Sequence, residues 1–305
     1  MTTMKGGGRA PRGDPASAQP RTELDEQQVF LLELSEALRP LSDPVEIQGA
    51  AARLIGQHLG ITRAAYYEHD EDARRGVIHR DYVRPGGASI TGVYRDEDFP
   101  AINALSRERT FVVADAAHSP LLGDKDRDAL HALGIVALVI APLVKGDRFR
   151  GAFVVSDPWP RDWRPREIAL VEAVAERTWE AVERARAEAA LRDGEKYSRS
   201  LFDAMDEGFA VLELVRDAAG RAVDFRWIMS NRALERLTGF DSDTAIGRLA
   251  SELFPDDFPW WVRTYAEVVG TQTVKRFEQG VASLGRTWEI TAFPWGGDRC
   301  AVLYD

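Results

Sequence analysis

The sequence predicts an α+β protein of two domains, each an antiparallel sheet with helices packed on it, joined by one long helix. Three observations predict it. The 305-residue chain is long enough for two cores, and its 45% hydrophobic and 29% charged residues give the balance of a globular protein. Two blocks each carry strands before and after a run of short helices, the pattern of one antiparallel sheet with helices against it. Between them an unbroken helical pattern starts at Pro165. The reading divides the chain into a tail over 1–22, a first domain over 23–164, a linking helix over 165–196 and a second domain over 197–305.

The head of the chain, MTTMKGGGRAPRGDPASAQP, is rich in Gly, Pro and Ala and has no apolar core, so it reads as a disordered tail and not as a signal peptide. From Thr22 to Leu38 a helix is expected, with Phe30, Leu31, Leu34 and Leu38 on one stripe and Pro40 ending it. A second helix opens at Asp43, a good N-cap, with Pro44 at the first helical position; Ile47, Leu54 and Ile55 point inward and Gly60 ends it. ITRAAYYEHD and GVIHRDYV read as strands around an acidic turn. Residues 84–133 are less regular: a short helix in DFPAINALSRER, a short strand in TFVVAD and a helix in GDKDRDALHALG. VALVIAPLV and GAFVVSD then flank the turn KGDRFR as a hairpin of buried strands.

In the long helix, Ile168, Val171, Ala175, Thr178, Val182, Ala185 and Ala189 recur at alternating spacings of three and four, a coiled-coil seam with charges elsewhere. The first half is expected to lie across the first sheet. The Ala-rich second half is a weak seam alone, and a parallel homodimer is the economical partner. Asp193-Gly194 is expected to interrupt the helix or shift its phase. Beyond it, strands are expected at GFAVLELV and VDFRWIM, short helices at NRALERLTG, TAIGRLASELF and PWWVRTYAEVVG, and closing strands at VKRFEQG, RTWEITAFP and RCAVLYD.

Composition excludes several functions. A formal net charge of −10 argues against a nucleic-acid partner, whose phosphates call for Lys and Arg. The longest apolar stretch, Ile135 to Val144, is far short of the ~18 residues of a membrane span and contains Pro142. The one cysteine, Cys300, cannot form an internal disulfide, which fits the cytoplasm, and it excludes a multi-cysteine zinc site. None of the five histidines (His58, His69, His79, His118, His131) has an i, i+4 partner, so no metal pair is expected on a helix.

The strings FVVADAAHSPL, APLVKGDRFRGAFVVSD and PRDWRPREIALVEAVAERTWEAVERARAEAALR resemble a GAF domain over about residues 24–190. The last is similar to the tail of GAF domains in bacterial sensor histidine kinases and phytochrome-like proteins. LFDAMDEGFAVLEL, SNRALERLTGF with Asn231 and Gly239, IGRLASELFPD and AVLYD resemble a PAS domain over about residues 197–305. In that family the last strand runs into an Asp-Ile-Thr motif, and Asp305 matches its Asp, the signal exit toward an output domain. The resemblance implies the sensory input module of a bacterial signal-transduction protein, a histidine kinase by preference, with no catalysis of its own in this stretch.

No phosphoacceptor segment, Gly-rich nucleotide box or Walker motif accompanies it. The GAF-fold reductase of free methionine sulfoxide needs reactive cysteines, and the first domain has none. For the GAF pocket the candidates are Tyr66, Tyr82, Asp98, Phe99, Pro100, Phe111 and Asp115. Asn103, Phe111 and Asp115 follow the order of a cyclic-nucleotide pattern, yet Ala104 and Ala116 replace its Lys and Glu. Asp98, Phe99 and Pro100 resemble the Asp-Ile-Pro element of bilin-binding GAF domains, which without a nearby Cys leaves only non-covalent pigment. For the PAS pocket the candidates are Trp227, Asn231 and Trp288. Haem would need a ligand such as His, and no His follows His131; a flavin photocycle would need a Cys in a helix. No cofactor is required by the sequence. The expectation is a sensor of a small molecule or partner acting through a dimeric helix; the alternatives are a non-covalent bilin or other chromophore photoreceptor, and a ligand-free dimerisation scaffold.

Overall fold

In a computed structural model, the structure describes residues 19–239, 241–255, 258–281 and 286–305. Of the tail anticipated over 1–22, residues 1–18 lie outside the described residues and 19–22 belong to the first helix. The chain divides into two units, 1–190 and 191–305.

The first unit opens with α1 (Gln19–Leu38) and α2 (Pro44–Leu59). Asp43 caps α2 by accepting from Glu46 N at 2.8 Å, and Gly60 closes it at φ 63°, a left-handed conformation that glycine adopts without a Cβ clash. The sheet comprises β1 (Arg63–Asp70), β2 (Arg75–Ile78), β3 (Asp81–Val83), β4 (Gly92–Arg95), β5 (Phe111–Val113), β6 (Ala137–Lys145) and β7 (Arg148–Asp157). It is antiparallel in the order β4-β2-β1-β7-β6-β5, with β3 pairing the start of β1. The strand read over GVIHRDYV is thus two strands: β2 forms a hairpin with the end of β1, and β3 pairs with its beginning.

Alternation along the strands sends successive side chains to opposite faces. Ala64, Tyr66, Val139, Phe153 and Val155 lie in one core with Phe30, Leu34, Leu38, Ile47 and Ile55 of α1 and α2. Ala65, Tyr67, Leu138, Ile140 and Ala152 face the other side, under α3 (Pro100–Ser106) and α4 (Asp124–Ala132).

The helix α5 runs from Pro165 to Ala204 without a break, so Asp193-Gly194 does not interrupt it. A helix interior tolerates one Gly at about 1 kcal/mol, less than breaking a long cooperative helix would cost. The seam residues Val171, Ala175, Thr178, Val182 and Ala185 are at most 1% exposed within the single chain, packed with α1, α2 and the sheet; Ile168 and Ala189 are half-buried. The first half of the seam lies against the first sheet as expected, and Val182 and Ala185 of the second half are covered internally as well, because heptad spacing does not distinguish a partner helix from the chain's own core. Of its large apolar side chains, α5 leaves Leu191, Tyr197 and Leu201 exposed.

The second unit continues with β8 (Gly208–Arg216), β9 (Ala222–Ser230), α6 (Arg232–Thr238), α7 (Ser242–Ala245), α8 (Ala250–Leu253), α9 (Phe258–Thr271), β10 (Lys275–Val281), β11 (Arg286–Gly296) and β12 (Arg299–Tyr304). Its five strands are antiparallel in the order β10-β11-β12-β8-β9. One face, with Trp227, Trp288, Ile290 and Cys300, packs against Trp261, Tyr265 and Val268 of α9. Among the described residues, no helix is long and apolar enough to cross a membrane.

Candidate functional site

On the face of the first sheet away from α1, α2 and α5, α3 and α4 do not meet the strands everywhere. A cavity of about 90 Å³ remains. Its floor is Tyr67, Leu138, Ile140, Ala152 and Val154; its roof includes Phe99, Ile102, Asn103 and Ser106 around α3, and Leu130 of α4. No charged side chain lines it. Tyr67 lies flat over Gly76, where an added Cβ would come within 2.1 Å of the ring, so that glycine lets the phenol close one side. Burial pushes the Tyr67 hydroxyl well above the ordinary tyrosine range, with Asp96 adding to the rise, so the lining stays neutral. Tyr94 spends its hydroxyl on Ile90 O. The Asn103 amide donates to Asp96 O at 3.0 Å and keeps Oδ1 as an acceptor.

Polar groups just outside the cavity hold its roof. Asp126 of α4, fully buried, accepts from Ala101 N and Ile102 N, each at 3.1 Å, and so caps the first turn of α3. Arg63 of β1 donates to Leu133 O at 2.9 Å and Gly134 O at 3.2 Å, satisfying carbonyls at the end of α4. At the other end His69 Nε2 lies 2.9 Å from Asp96 Oδ1, and Arg107 donates to Asp96 Oδ2 at 3.0 Å with its guanidinium over the Phe149 ring. Asp96 precedes α3 and Arg107 follows it, so this cluster ties both ends of the helix to β1. Hydrogen bonds to charged groups contribute about 1.5–3 kcal/mol each. An irregular, mostly apolar roof is held in this way without side chains large enough to fill the space beneath it.

Of the residues expected at this pocket, the structure brings Phe99 to the cavity. Tyr66 points to the helical face, where its buried hydroxyl finds no partner; its neighbour Tyr67 takes the cavity position. Tyr82 packs against Gly56 of α2 on that same helical face. Asp98 and Pro100 are exposed, Pro100 opening α3. Phe111 is buried in the cavity-side core without lining the cavity, and Asp115 accepts from Ala117 N and pairs with His118 at the surface. Asn103, which entered the sequence reading through the nucleotide pattern, does line the cavity. Tyr67, Ser106, Asp126, Arg63 and the His69–Asp96–Arg107 cluster were not anticipated.

A second pocket, of about 400 Å³, lies outside the β1–β2 turn. It carries acids and bases together, some of them paired, as in Arg148 Nε to Glu71 Oε2 at 3.1 Å, so it selects neither sign of charge. Among the described residues, no group of three or more His, Cys, Asp or Glu is placed to hold a metal.

In the second unit Trp227 and Trp288, each 5% exposed, are packed in the core cluster. Asn231 is fully engaged: Oδ1 accepts from Phe209 N at 2.9 Å and Leu234 N at 3.0 Å, and Nδ2 donates to Phe202 O and Glu207 O. It caps α6 and ties the end of α5 to β8, so it is a structural joint. Of the Trp260–Trp261 pair, Trp261 is buried and Trp260 lies half-buried against Phe277. Asp305 is exposed, its N–H donating to Glu289 O.

Residues 43–182 match the family model of the GAF domain. No curated protein matches the chain. Among solved structures, the chain is similar to the phycocyanobilin-bound GAF domain from a cyanobacterial phytochrome, at 19% identity over 53% of this chain and 96% of that one, with a TM-score of 0.47. It is similar to the blue-light absorbing form of the Thermosynechococcus elongatus PixJ GAF domain, at 19% identity over 50% and 92%, with a TM-score of 0.43. The free methionine-R-sulfoxide reductase from Neisseria meningitidis, in complex with its substrate, is similar at 13% identity over 59% and 97%, with a TM-score of 0.45.

Proposed function

We propose that the chain is a sensory input module of a signal-transduction protein of the sensor-kinase kind. Its GAF domain takes a small molecule in the cavity beneath α3 and α4. The observation that carries the reading is that cavity: apolar, walled by the domain's own strands and roofed by short helices that its own charged groups hold in place. The sheet order of the second unit, two strands, a helical stretch and three closing strands with β12 between β8 and β11, supports a PAS-like partner domain. Binding acts by population shift, the ligand favouring one arrangement of the roof and of α5. In a homodimer, the exposed residues Leu191, Tyr197 and Leu201 are the part of α5 free to meet a second copy, since the earlier seam is used internally.

A pigment-binding photoreceptor is the second reading, favoured by the resemblance of residues 98–100 to a bilin-contacting element. Two observations weigh against it. The cavity is far smaller than the ~300–1,000 Å³ of pockets that take drug-sized ligands. The one cysteine, Cys300, sits buried in β12 of the second unit, with its thiol pushed up to about 12 by burial. Native mass spectrometry and the absorption spectrum of the purified full chain decide between them. A retained or added small molecule without visible absorbance supports the proposal. A visible band supports the photoreceptor, and no bound species under any condition leaves the scaffold.

A further inference from the structure

We infer that the GAF cavity takes a neutral, single-ring molecule carrying one hydrogen-bonding group, of the phenol type, and that Ser106 reads that group. The inference rests on the reading of the cavity as the sensory site and goes on to name its ligand class. Size sets the first limit. An apolar cavity of about 150 Å³ holds benzene; about 90 Å³ is smaller, so fused or linked rings are excluded and a single ring enters as the side chains of the roof shift to make room. Charge sets the second. No lining side chain is charged, and an ionised group brought into such a space without a partner loses its hydration at a cost of many kcal/mol.

The polar handles set the third. Ser106 is 2% exposed to solvent and lines the cavity from the last turn of α3. Among the described residues its hydroxyl makes no hydrogen bond, although other buried or half-buried hydroxyls on helices, such as Thr178 and Thr238, bond to the carbonyl four residues back. Asn103 Oδ1, one turn earlier on α3, is the second free acceptor. A hydroxyl on a ring in the cavity meets both handles on one helix. That helix is the one bound at its two ends by Asp126 and by the His69–Asp96–Arg107 cluster, so the occupant pulls on the element whose position the protein's own charges fix.

Calorimetric titration of the full chain with p-cresol, toluene, 4-methylbenzoate and biliverdin tests this. The expected result is binding of p-cresol, binding of toluene about tenfold weaker, a gap equal to one hydrogen bond, and none by 4-methylbenzoate. Ser106→Ala is expected to lower p-cresol to the affinity of toluene while toluene is unchanged. Ala152→Leu, which adds volume on the floor, is expected to abolish both. Circular dichroism confirms that each variant is folded; should Ala152→Leu fail to fold, Ala152→Val takes its place. Binding of 4-methylbenzoate as tight as p-cresol, or p-cresol affinity untouched by both substitutions, overturns the assignment. Biliverdin binding without p-cresol binding also overturns it, yet leaves the sensory cavity standing. If none of the four binds and native mass spectrometry finds no retained molecule, the sensory reading itself falls.

Discussion

The cavity face of the first unit and the core of the second unit are the same construction filled in different ways. Each is one face of an antiparallel sheet under short helices. In the second unit the space is closed by aromatic rings that interlock: Phe225 and Tyr265 at 5.3 Å, Trp261 and Tyr265 at 5.6 Å, Trp227 and Phe254 at 6.3 Å. In the first, Leu138, Ile140, Ala152 and Val154 face Ile102, Asn103 and Ser106, and the side chains are too small to meet. Interiors pack to a constant density unless something holds the walls apart. Here the something is polar: Asp126, Arg63 and the His69–Asp96–Arg107 cluster fix the roof from outside the apolar space. A core filled by rings has stability to spare at its centre, whereas a roofed cavity puts its stability at the rim and keeps the centre for an occupant.

The comparison can be broken at its strongest point by Trp227→Ala. It leaves a large void in the ring-filled core and is expected to destabilise the second unit by about 3–5 kcal/mol, read as a lower urea midpoint. A loss under 1 kcal/mol would mean that this core is as loosely filled as the first unit's. Next in size is Asp126→Ala, which strips two N–H partners from the buried start of α3. It is expected to cost about 1.5–3 kcal/mol and to speed amide hydrogen exchange at Ala101 and Ile102 by tenfold or more. Exchange unchanged there would show that the rim does not hold the roof.

The last effect is one of pH, and it builds up unit by unit. Burial pushes the Cys300 thiol up to about 12 from 9.0 and the Tyr304 hydroxyl up to about 12 from 10.0. Between those limits the unfolded chain gives up these protons and the folded chain keeps them. Stability is therefore full below pH 9 and falls as pH rises toward 12, by about 1.4 kcal/mol per unit for each group. Urea midpoints from pH 8 to 10.5 should decline, and Cys300→Ala should remove the part of the decline that begins near pH 9. Identical slopes in the two proteins would show that the thiol is not sealed in a filled core.

Much of this architecture is legible in local sequence. Asp43, Pro44 and Gly60 mark the ends of α2 through their own backbone and side-chain chemistry, and Asn231 and Gly239 do the same for α6. The short strand β4 was missed, because its four residues carry no periodicity and it exists by pairing with β2. Along β1 the run Ala64, Ala65, Tyr66, Tyr67 is buried on both faces, so its apolar character gives no phase. A one-residue difference in phase sends Tyr66 to the helices and Tyr67 to the cavity. The rim was invisible for another reason: Asp126 meets Ala101, Arg63 meets Leu133, and His69 meets Asp96 across long stretches of chain, and single polar residues on a strand or a short helix look like solvated surface.

By itself the sequence determined two sheets with helices, the ends of α2 and α6 and a first unit without cysteine. Each of these is written in the chemistry of neighbouring residues. Tertiary structure alone decided that the seam of α5 is spent inside its own unit, that Tyr67 and Ser106 rather than Tyr66 and Asp98 face the cavity, and that buried charges hold the roof above it. Those outcomes depend on which distant residues come within a few ångströms of each other, and period and propensity carry no record of that.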